Sequence, residues 1–355
     1  MTVPSFPHDI ESQVFDVIVI GAGINGAGIA RDAAMRGLNV LLLDQHDIGS
    51  GTTPWSTRLI HGGLRYLEHG EIGLVRESLR ERETLLRIAP HLVRPLPFLL
   101  PVYDWQRRNL ATIRAGLLAY DILSFGKELP AHHMLSGNAT RSLVAGIENA
   151  GLRGAALYYD CQVAFPERLA VENATAAAEH GATILTHAKV ERIVVVDGVA
   201  RGVDIRPRHA DATVRVAGST IVNVAGPWVD HLLTDIEKQP LIGGTKGSHI
   251  VVDPFPGAPC CAVYTEAPSD GRPFFVIPWQ GRLLIGTTDA PFEGDPSDAR
   301  PTAAEIDYLI RQTLAIFPES SLTPASVLIT YAGVRPLPPS ADRKNGHVTR
   351  RHVVR

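Results

Sequence analysis

The most constraining feature of the chain is an apolar strand pattern that runs directly into a glycine-rich turn. The run from Asp16 to Ile20 is rich in β-branched residues, as is typical of a buried parallel strand, and Gly21, Gly23 and Gly26 follow it with GxGxxG spacing. In this motif the first glycine permits a tight turn, the second lets the backbone approach a pyrophosphate, and the third lets helix pack on strand. Phosphates then bind free N–H groups at the helix N-terminus. The stretch therefore predicts a dinucleotide site.

The residues that follow the turn agree with this prediction. An alanine-rich helix is predicted from Ala27 to Arg36 and ends at Gly37, and Val40 to Leu43 forms a second buried strand. Asp44 ends that strand, where an acidic side chain can accept hydrogen bonds from a ribose hydroxyl. The pattern indicates a Rossmann-like unit, but it does not by itself distinguish NAD from FAD.

Composition excludes several classes of protein. The 355 residues, 45% of them hydrophobic, suffice for two modest domains or one large α/β unit with an inserted subdomain. The 34 basic and 37 acidic residues nearly balance, so we expect no nucleic-acid partner. The three cysteines form no CxxC pair, which argues against a zinc site or a disulfide framework and fits a reducing cytoplasm. Neither a secretory signal nor an apolar run of about 18 residues is recognisable, so we predict no membrane span.

Two helices are predicted in the first half of the chain. The charged segment from Glu71 to Ala89 predicts a solvent-facing helix in which Glu83 pairs with Arg87. A second helix, Trp105 to Phe125, either packs on the domain or lies on a membrane surface. Its basic residues are Arg107, Arg108 and Arg114. The proline-rich run between the two helices, PFLLPVY, predicts a strand or an extended crossing segment rather than a helix. Residues 126–157 give no clear pattern.

The second half is rich in short β-strand patterns. Asp197-Gly198 predicts the turn of a β-hairpin. Further runs at 248–252, 261–265, 274–279 and 283–287 are typical of an antiparallel sheet. Thr302 and Glu305 form a capping box at the start of an amphipathic helix that extends to Phe317, and Val327 to Val334 predicts a final strand.

An ordered set of sequence strings carries a family resemblance. A Ser/Thr-rich loop, Gly49 to Ser56, precedes LIHGGLRYLEH at Leu59 to His69, and GPW, KGSHIVV, IPW, IGTTD and YAGVRPL follow in order. From about Phe15 to Thr349 the chain resembles the FAD-dependent glycerol-3-phosphate dehydrogenases. The resemblance implies an α/β fold of the D-amino-acid-oxidase type, with a Rossmann-like FAD-binding domain and an antiparallel β-sheet substrate-cap domain.

The resemblance also implies a reaction. It is the oxidation of sn-glycerol 3-phosphate to dihydroxyacetone phosphate, with hydride passing from C2 to flavin N5 and electrons then passing to quinone. Arg65 and Arg335 match the family's arginines at the flavin face and would bind the phosphate. His249 matches the family's base, which we expect to titrate near neutrality. A cytoplasmic protein in peripheral contact with the inner face of the membrane is implied, and the oligomeric state stays open.

The resemblance assigns the FAD contacts to residues spread over the chain. They are Gly21, Gly23, Gly26, Asp44, Thr52, Thr53, Ser56, His61, Gly62, Gly63, Val190 (through its backbone, near the adenine) and Gly226. The implied domain division is a flexible lead-in at 1–14, FAD-binding segments at 15–90 and 158–230, a mixed crossing segment at 91–157, a cap at 231–325, a return strand at 326–340 and a disordered tail at 341–355.

The chain departs from the family pattern in two places. Where many members read SSRSTK, residues 53–58 read TPWSTR, which places a proline and a bulky ring in the cofactor loop. A GGKxTTYR-type segment, which contacts the flavin ring and supplies a phosphate ligand in the family, does not occur before residue 355, so the chain resembles a truncated member and its activity is in doubt. Two alternatives are a non-catalytic fragment and an FAD-dependent amine or hydroxy-acid oxidase. LIHGGLRYLEH and KGSHIV argue against the oxidase.

Overall fold

The computed structural model describes residues 9–208, 212–339 and 354. Its strands are β1 Val14–Ile20, β2 Val40–Leu43, β3 Leu59–Ile60, β4 Val93–Tyr103, β5 His133–Ser136, β6 Leu152–Val163, β7 Thr183–Leu185, β8 Ala188–Val196, β9 Val199–Pro207, β10 Val214–Asn223, β11 Gly243–Val252, β12 Ala262–Glu266, β13 Pro273–Trp279, β14 Arg282–Gly286, β15 Ala290–Pro291 and β16 Val327–Leu337. Its α-helices are α1 Ile24–Met35, α2 Ile72–Ile88, α3 Leu110–Leu123, α4 Gly137–Leu143, α5 Pro166–Glu179 and α6 Ala303–Ile316.

A six-stranded sheet carries the glycine turn. Its order within the described chain is β7-β2-β1-β10-β9-β8, and β1 pairs in parallel with both β2 and β10. Helices α1 and α5 cover one face through alanines such as Ala27, Ala30, Ala174 and Ala177, all fully buried. Because alanine side chains are short, the two helices can lie close to each other and to the sheet. This confirms the predicted Rossmann-like unit.

The second sheet of the fold is larger and mostly antiparallel. Within the described residues it has ten strands, with β15-β11-β14-β13-β12-β4-β6-β3 as its main path, β16 paired with β11 and β5 paired with β6. Helix α6 packs on this sheet through Leu309 and Ile310, beside the strand residues Ile250 and Ile285. The predicted capping box of α6, Thr302 with Glu305, is present. The mixed α/β fold with an antiparallel cap sheet is thus confirmed.

Several local predictions are also confirmed. Asp197 and Gly198 have φ values of 52° and 76°, as a two-residue hairpin turn of the I′ type requires, and they join β8 to β9. The helix predicted for 71–89 spans Ile72–Ile88.

Other predictions about ion pairs and helix ends are wrong. Arg87 pairs with Glu128 at 3.0 Å, whereas Glu83 turns inward to the buried Arg82 at 2.7 Å, so the predicted Glu83–Arg87 pair does not form. The helix predicted from 105 begins only at 110, because Asn109 caps it by accepting a hydrogen bond from the N–H of Thr112. The lead-in is partly ordered: a 3₁₀ helix at 10–12 buries Ile10 in the core.

The strand predicted to return to the FAD-binding domain pairs elsewhere. β16 runs antiparallel to β11 over ten residue pairs, from Gly243↔Leu337 to Val252↔Val327, and so completes the larger sheet. Likewise, residues 158–163, predicted in the FAD-binding part, belong to β6 of the larger sheet. The division of the chain into domains stays a prediction, and the tail predicted at 341–355 lies outside the described residues apart from residue 354.

Candidate functional site

The glycine turn lies between β1 and α1. Gly21 has φ +106°, and a Cβ placed there would lie 2.6 Å from the carbonyl oxygen of Val224. A Cβ on Gly26 would lie 1.8 Å from the carbonyl oxygen of Gly21. At Gly23, by contrast, a Cβ would meet only the hydroxyl of Thr53, at 3.3 Å. The fold therefore requires the first and third glycines, while the second borders open space in which a ligand can approach the backbone.

Asp44 fixes the turn to the end of β2. One carboxylate oxygen accepts the N–H of Ala22 at 2.7 Å and the other accepts the N–H of His46 at 2.8 Å. Burial raises the pKa of Asp44, while these two N–H donors act in the opposite direction. Each carboxylate oxygen can accept a further hydrogen bond, so a ribose hydroxyl is a suitable additional donor.

The Ser/Thr-rich loop joins the two sheets at this site. The hydroxyl of Thr53 accepts the N–H of Ile24 at the start of α1, at 3.1 Å. Thr52 donates to a carbonyl of β16 at 2.8 Å, and the carbonyl of Ser56 accepts the hydroxyl of Tyr331 on the same strand at 2.9 Å. The loop therefore holds β16, with Arg335, near the glycine turn.

Two more distant predicted contacts also border the turn. Gly226 (φ +58°) directly follows Ala225, whose Cα packs against the glycine turn, and no atom within 4 Å would meet a Cβ at Gly226. Val190 lies near the start of β8, where the N–H of Ala188 donates to the carbonyl of Asp44 at 2.8 Å. Gly226 thus follows a residue that contacts the glycine turn, and Val190 lies two residues after one that is bonded to Asp44.

His61, Gly62 and Gly63 form a tight turn beside the larger sheet. The Nδ1 of His61 accepts the N–H of Gly63 at 3.0 Å. Gly62 is pressed against a helix, because a Cβ there would lie 2.3 Å from Leu79 and 2.4 Å from the hydroxyl of Tyr120. Gly63 has φ +70° and begins the 3₁₀ helix Leu64–His69. His61 and Gly63 line a cavity, whereas Gly62 faces the protein interior.

This cavity brings the two predicted phosphate ligands together. It has a volume of about 180 Å³, and Arg65 from the 3₁₀ helix and Arg335 from β16 both line it. Thr57 and the ring of Tyr264 lie in its wall. Two guanidinium groups in a small, partly enclosed space can bind a phosphate or a carboxylate through paired N–H donors.

Arg335 is held by three residues of the IGTTD string. One guanidinium nitrogen pairs with Asp289 at 2.9 Å. The other donates to the hydroxyl of Thr287 at 3.0 Å and to the carbonyl of Thr288 at 3.2 Å. The IGTTD string therefore orients the arginine, a role that its polar residues next to a strand end could have indicated.

His249 lies behind the cavity wall. It is 2% exposed, its ring stacks on Tyr331 with centroids 4.8 Å apart, and its Nε2 lies 3.0 Å from the hydroxyl of Thr57. Among the described residues it does not line the cavity, and its contact with that space runs through Thr57. Burial, with the charges of Arg335 and Arg58, lowers the pKa of His249 to about 3. The expectation of a pKa near neutrality is therefore wrong.

The departure of residues 53–58 from the family pattern has a structural counterpart. Arg58 is buried, and its guanidinium lies over the ring of Trp279 at 4.6 Å and over that of Tyr331 at 5.8 Å. The ring of Trp55 packs on the ring of Tyr331, with centroids 5.7 Å apart. Gly333 leaves room for Trp55, since a Cβ at Gly333 would lie 2.7 Å from the Cβ of Trp55. The unusual loop thus packs against the strand that carries Arg335.

The low pKa of His249 predicts a pH-dependent stability. The unfolded chain binds a proton as the pH falls below 6.5, whereas the folded chain does not until about pH 3. The free energy of unfolding should therefore decrease by up to about 1.4 kcal/mol per pH unit in that interval. Between pH 6.5 and 5, denaturant unfolding of the parent should show a loss about 2 kcal/mol larger than that of His249→Gln. The control is His91→Gln, which replaces an exposed histidine. Equal losses of unfolding free energy in the parent and in His249→Gln would contradict the prediction.

The known proteins that resemble this chain agree with a dinucleotide site at the glycine turn. A family model described as FAD dependent oxidoreductase matches residues 16–354. A glycerol-3-phosphate dehydrogenase of Synechocystis sp. is 48% identical over 99% of this chain and 65% of its own length. One of Pseudomonas aeruginosa is 40% identical over 97% of this chain and 65% of its own length.

A solved structure is similar in the same way. The glycerol-3-phosphate dehydrogenase from Bacillus halodurans, complexed with FAD, is 32% identical, with a TM-score of 0.77 over 93% of this chain and 58% of that chain. The chain thus spans 58–65% of the length of these relatives. It belongs to the family of FAD-dependent oxidoreductases, and FAD is its cofactor.

Proposed function

We propose that this chain oxidises sn-glycerol 3-phosphate to dihydroxyacetone phosphate. The observation that carries the proposal is that Arg65 and Arg335, far apart in the sequence, line one small cavity. A phosphomonoester dianion requires cationic ligands, and the planar guanidinium donates paired hydrogen bonds to phosphate oxygens. Glycerol-3-phosphate dehydrogenases among the similar proteins support the same substrate. The test is anaerobic reduction of the protein-bound flavin by this substrate.

FAD would occupy the space between the glycine turn and the cavity. When bound, it supplies a flavin ring that accepts the hydride from C2 of the substrate at N5. The open backbone at Gly23 and the N-terminus of α1 fit a pyrophosphate, the carboxylate of Asp44 fits a ribose hydroxyl, and the backbone of Val190 fits the adenine. The remaining proposed FAD contacts are Gly21, Gly26, Thr52, Thr53, Ser56, His61, Gly63 and Gly226, whereas Gly62 packs against Leu79 and Tyr120 and is not proposed as a contact.

The proton from the C2 hydroxyl would leave through Thr57. Thr57 lines the cavity, and its hydroxyl lies 3.0 Å from Nε2 of His249. The Thr57 oxygen accepts the substrate proton while its own proton passes to Nε2, so no charge stays on the threonine. The charge of Arg335 is one cause of the low pKa of His249. A phosphate dianion on Arg335 offsets that charge and makes His249 more basic in the complex than in the free protein.

Electrons would leave to a quinone, with the protein in peripheral contact with the inner face of the cytoplasmic membrane. Helix α3 and its flanks support this contact: Ile122 is 73% exposed and Phe125 is 98% exposed. Arg108 is engaged with Glu68 and Glu266, so of the predicted basic residues Arg107 and Arg114 are the better candidates for lipid headgroups. No helix in the described part of the chain combines the length and apolar character needed to cross a bilayer.

We expect Arg107→Gln with Arg114→Gln to weaken binding to anionic vesicles. Each basic residue near such a surface contributes about 1 kcal/mol, so the pair should reduce the partition constant roughly thirtyfold. Vesicle sedimentation at low and high salt measures this. Lys189→Gln with Arg201→Gln removes the same charge from the β8–β9 hairpin and serves as control. Equal binding by both double variants would contradict the contact through α3.

A further inference from the structure

A buried polar network lies directly behind the turn that carries Arg65. At its centre is Asp160, which lies on β6, is 1% exposed and also forms part of the cavity wall. Its carboxylate accepts hydrogen bonds from Arg82 at 2.5 Å, from the Tyr120 hydroxyl at 2.9 and 3.0 Å, and from the Gly62 N–H at 3.3 Å. Arg82, also 1% exposed, binds Glu83 with its other terminal nitrogen at 2.7 Å.

The Tyr120 hydroxyl links this network to the turn. It accepts the N–H of Gly62 at 2.8 Å while it donates to Asp160. Burial, followed by the charge of Asp160, raises the pKa of Tyr120 well above its usual value, so the hydroxyl keeps the proton that it donates. The contact at Gly62 is close: a Cβ there would lie 2.4 Å from this hydroxyl, so only glycine fits at this position.

Two further hydrogen bonds, one to a side chain and one within the backbone, shape the turn between His61 and Tyr66. The Gly63 N–H donates to Nδ1 of His61 at 3.0 Å, and the Tyr66 N–H donates to the Gly63 carbonyl at 2.8 Å. Arg65 lies inside this closed turn, on the side of the cavity. A shift of Gly62 would therefore move Arg65.

The network is not explained by stability alone. Tyr120 belongs to a buried apolar cluster with Val75, Leu79 and Phe98, and its partners Arg82 and Asp160 are each 1% exposed. Charges in such surroundings lose their hydration, and well-packed apolar side chains would stabilise the fold at least as well. Fixed polar groups do, however, hold a backbone segment in one position.

We propose that Tyr120, together with Asp160, is a positioning residue that sets the place of Arg65 in the cavity and thereby the affinity for the substrate phosphate. This inference rests on the proposed function for the identity of the substrate. Tyr120 itself touches neither the cavity nor, in this proposal, the substrate. It acts through the Gly62 N–H and the turn that follows.

The test compares Tyr120→Phe with Tyr103→Phe. Tyr103 is equally buried, at 2% exposure, and its hydroxyl donates to the Glu148 carbonyl at 3.1 Å, away from the cavity. Tyr120→Phe loses the hydrogen bond to Asp160 and the one from the Gly62 N–H, and Tyr103→Phe loses the one to Glu148. Only Tyr120→Phe should raise KM for sn-glycerol 3-phosphate, by about tenfold with kcat nearly unchanged. Placed on Arg65→Ala, Tyr120→Phe should add almost no further increase, because the arginine that it positions is gone.

A second readout does not depend on activity. Amide hydrogen exchange in a peptide covering residues 59–67 should be faster in Tyr120→Phe than in Tyr103→Phe and the parent. If the parent flavin is not reduced by sn-glycerol 3-phosphate, the proposed function fails while the exchange experiment still decides the positioning role. Unchanged exchange in this peptide, or a KM effect of Tyr120→Phe that persists in full on Arg65→Ala, would overturn the inference.

Discussion

A Gly23→Val variant is expected to fold normally and to be isolated without flavin. A Cβ at Gly23 meets only the hydroxyl of Thr53, so the protein alone tolerates a side chain there. The same side chain would occupy the space through which a pyrophosphate approaches the backbone at the N-terminus of α1. We expect FAD affinity to fall at least about a hundredfold, or about 2.7 kcal/mol, as measured by flavin content and titration of the apoprotein.

Two neighbouring glycines make this test specific. Gly28 lies on the same helix, and no atom within 4 Å would meet its Cβ, so Gly28→Val should keep its flavin. Gly26→Val should not fold, since a Cβ would lie 1.8 Å from the carbonyl oxygen of Gly21. A folded Gly23→Val protein with parental flavin content would show that the turn does not bind the cofactor.

The second large effect is expected for substitutions on the proposed proton path, which runs from the substrate through Thr57 to His249. His249→Ala should slow anaerobic flavin reduction by sn-glycerol 3-phosphate by roughly a hundredfold or more, because the C2 hydroxyl proton loses its acceptor. Thr57→Val should slow it similarly, since the hydroxyl of Thr57 joins His249 to the cavity. Arg65→Ala should instead raise KM by about tenfold to a hundredfold, because a charge-assisted contact to the phosphate is made in ground and transition state alike.

Stopped-flow flavin reduction at varied substrate concentration separates these two kinds of effect. The Tyr103→Phe variant, altered away from the cavity, provides the reference for a small loss of stability. If His249→Ala reduces its flavin at the parental rate, His249 is not the proton acceptor, and an arginine or a bound water must take that role.

The parts of the fold that local sequence predicts are those held together by local hydrogen bonds. The strand, glycine turn and helix at 16–36, the Asp197-Gly198 hairpin and the capping box at Thr302 depend on residues within a few positions of each other. The pairing of β16 with β11 joins residues 75 to 94 positions apart, and no local pattern predicts it. Backbone groups pair with any strand edge that the tertiary fold offers, and residue pattern does not specify which edge.

The residues of the candidate site are likewise predictable from the sequence only in part. Arg65, Arg335 and His249 were identified through the family strings, and the structure places both arginines on one cavity. Thr57 and Tyr120 carry no recognisable local signal, because their roles arise from hydrogen bonds to residues distant in sequence. The pKa of His249 was misjudged for the same reason: burial and the two arginines that lower it are tertiary features.

The most direct measurement is the anaerobic absorption spectrum of the purified protein during titration with sn-glycerol 3-phosphate. The account predicts a yellow protein whose flavin is bleached in proportion to added substrate, whereas glycerol, which lacks the phosphate that Arg65 and Arg335 bind, leaves it unchanged. A D-amino acid and a 2-hydroxy acid provide the comparison for a carboxylate-binding oxidase. Bleaching by one of these acids but not by sn-glycerol 3-phosphate, or a folded protein that binds no FAD, would contradict the account.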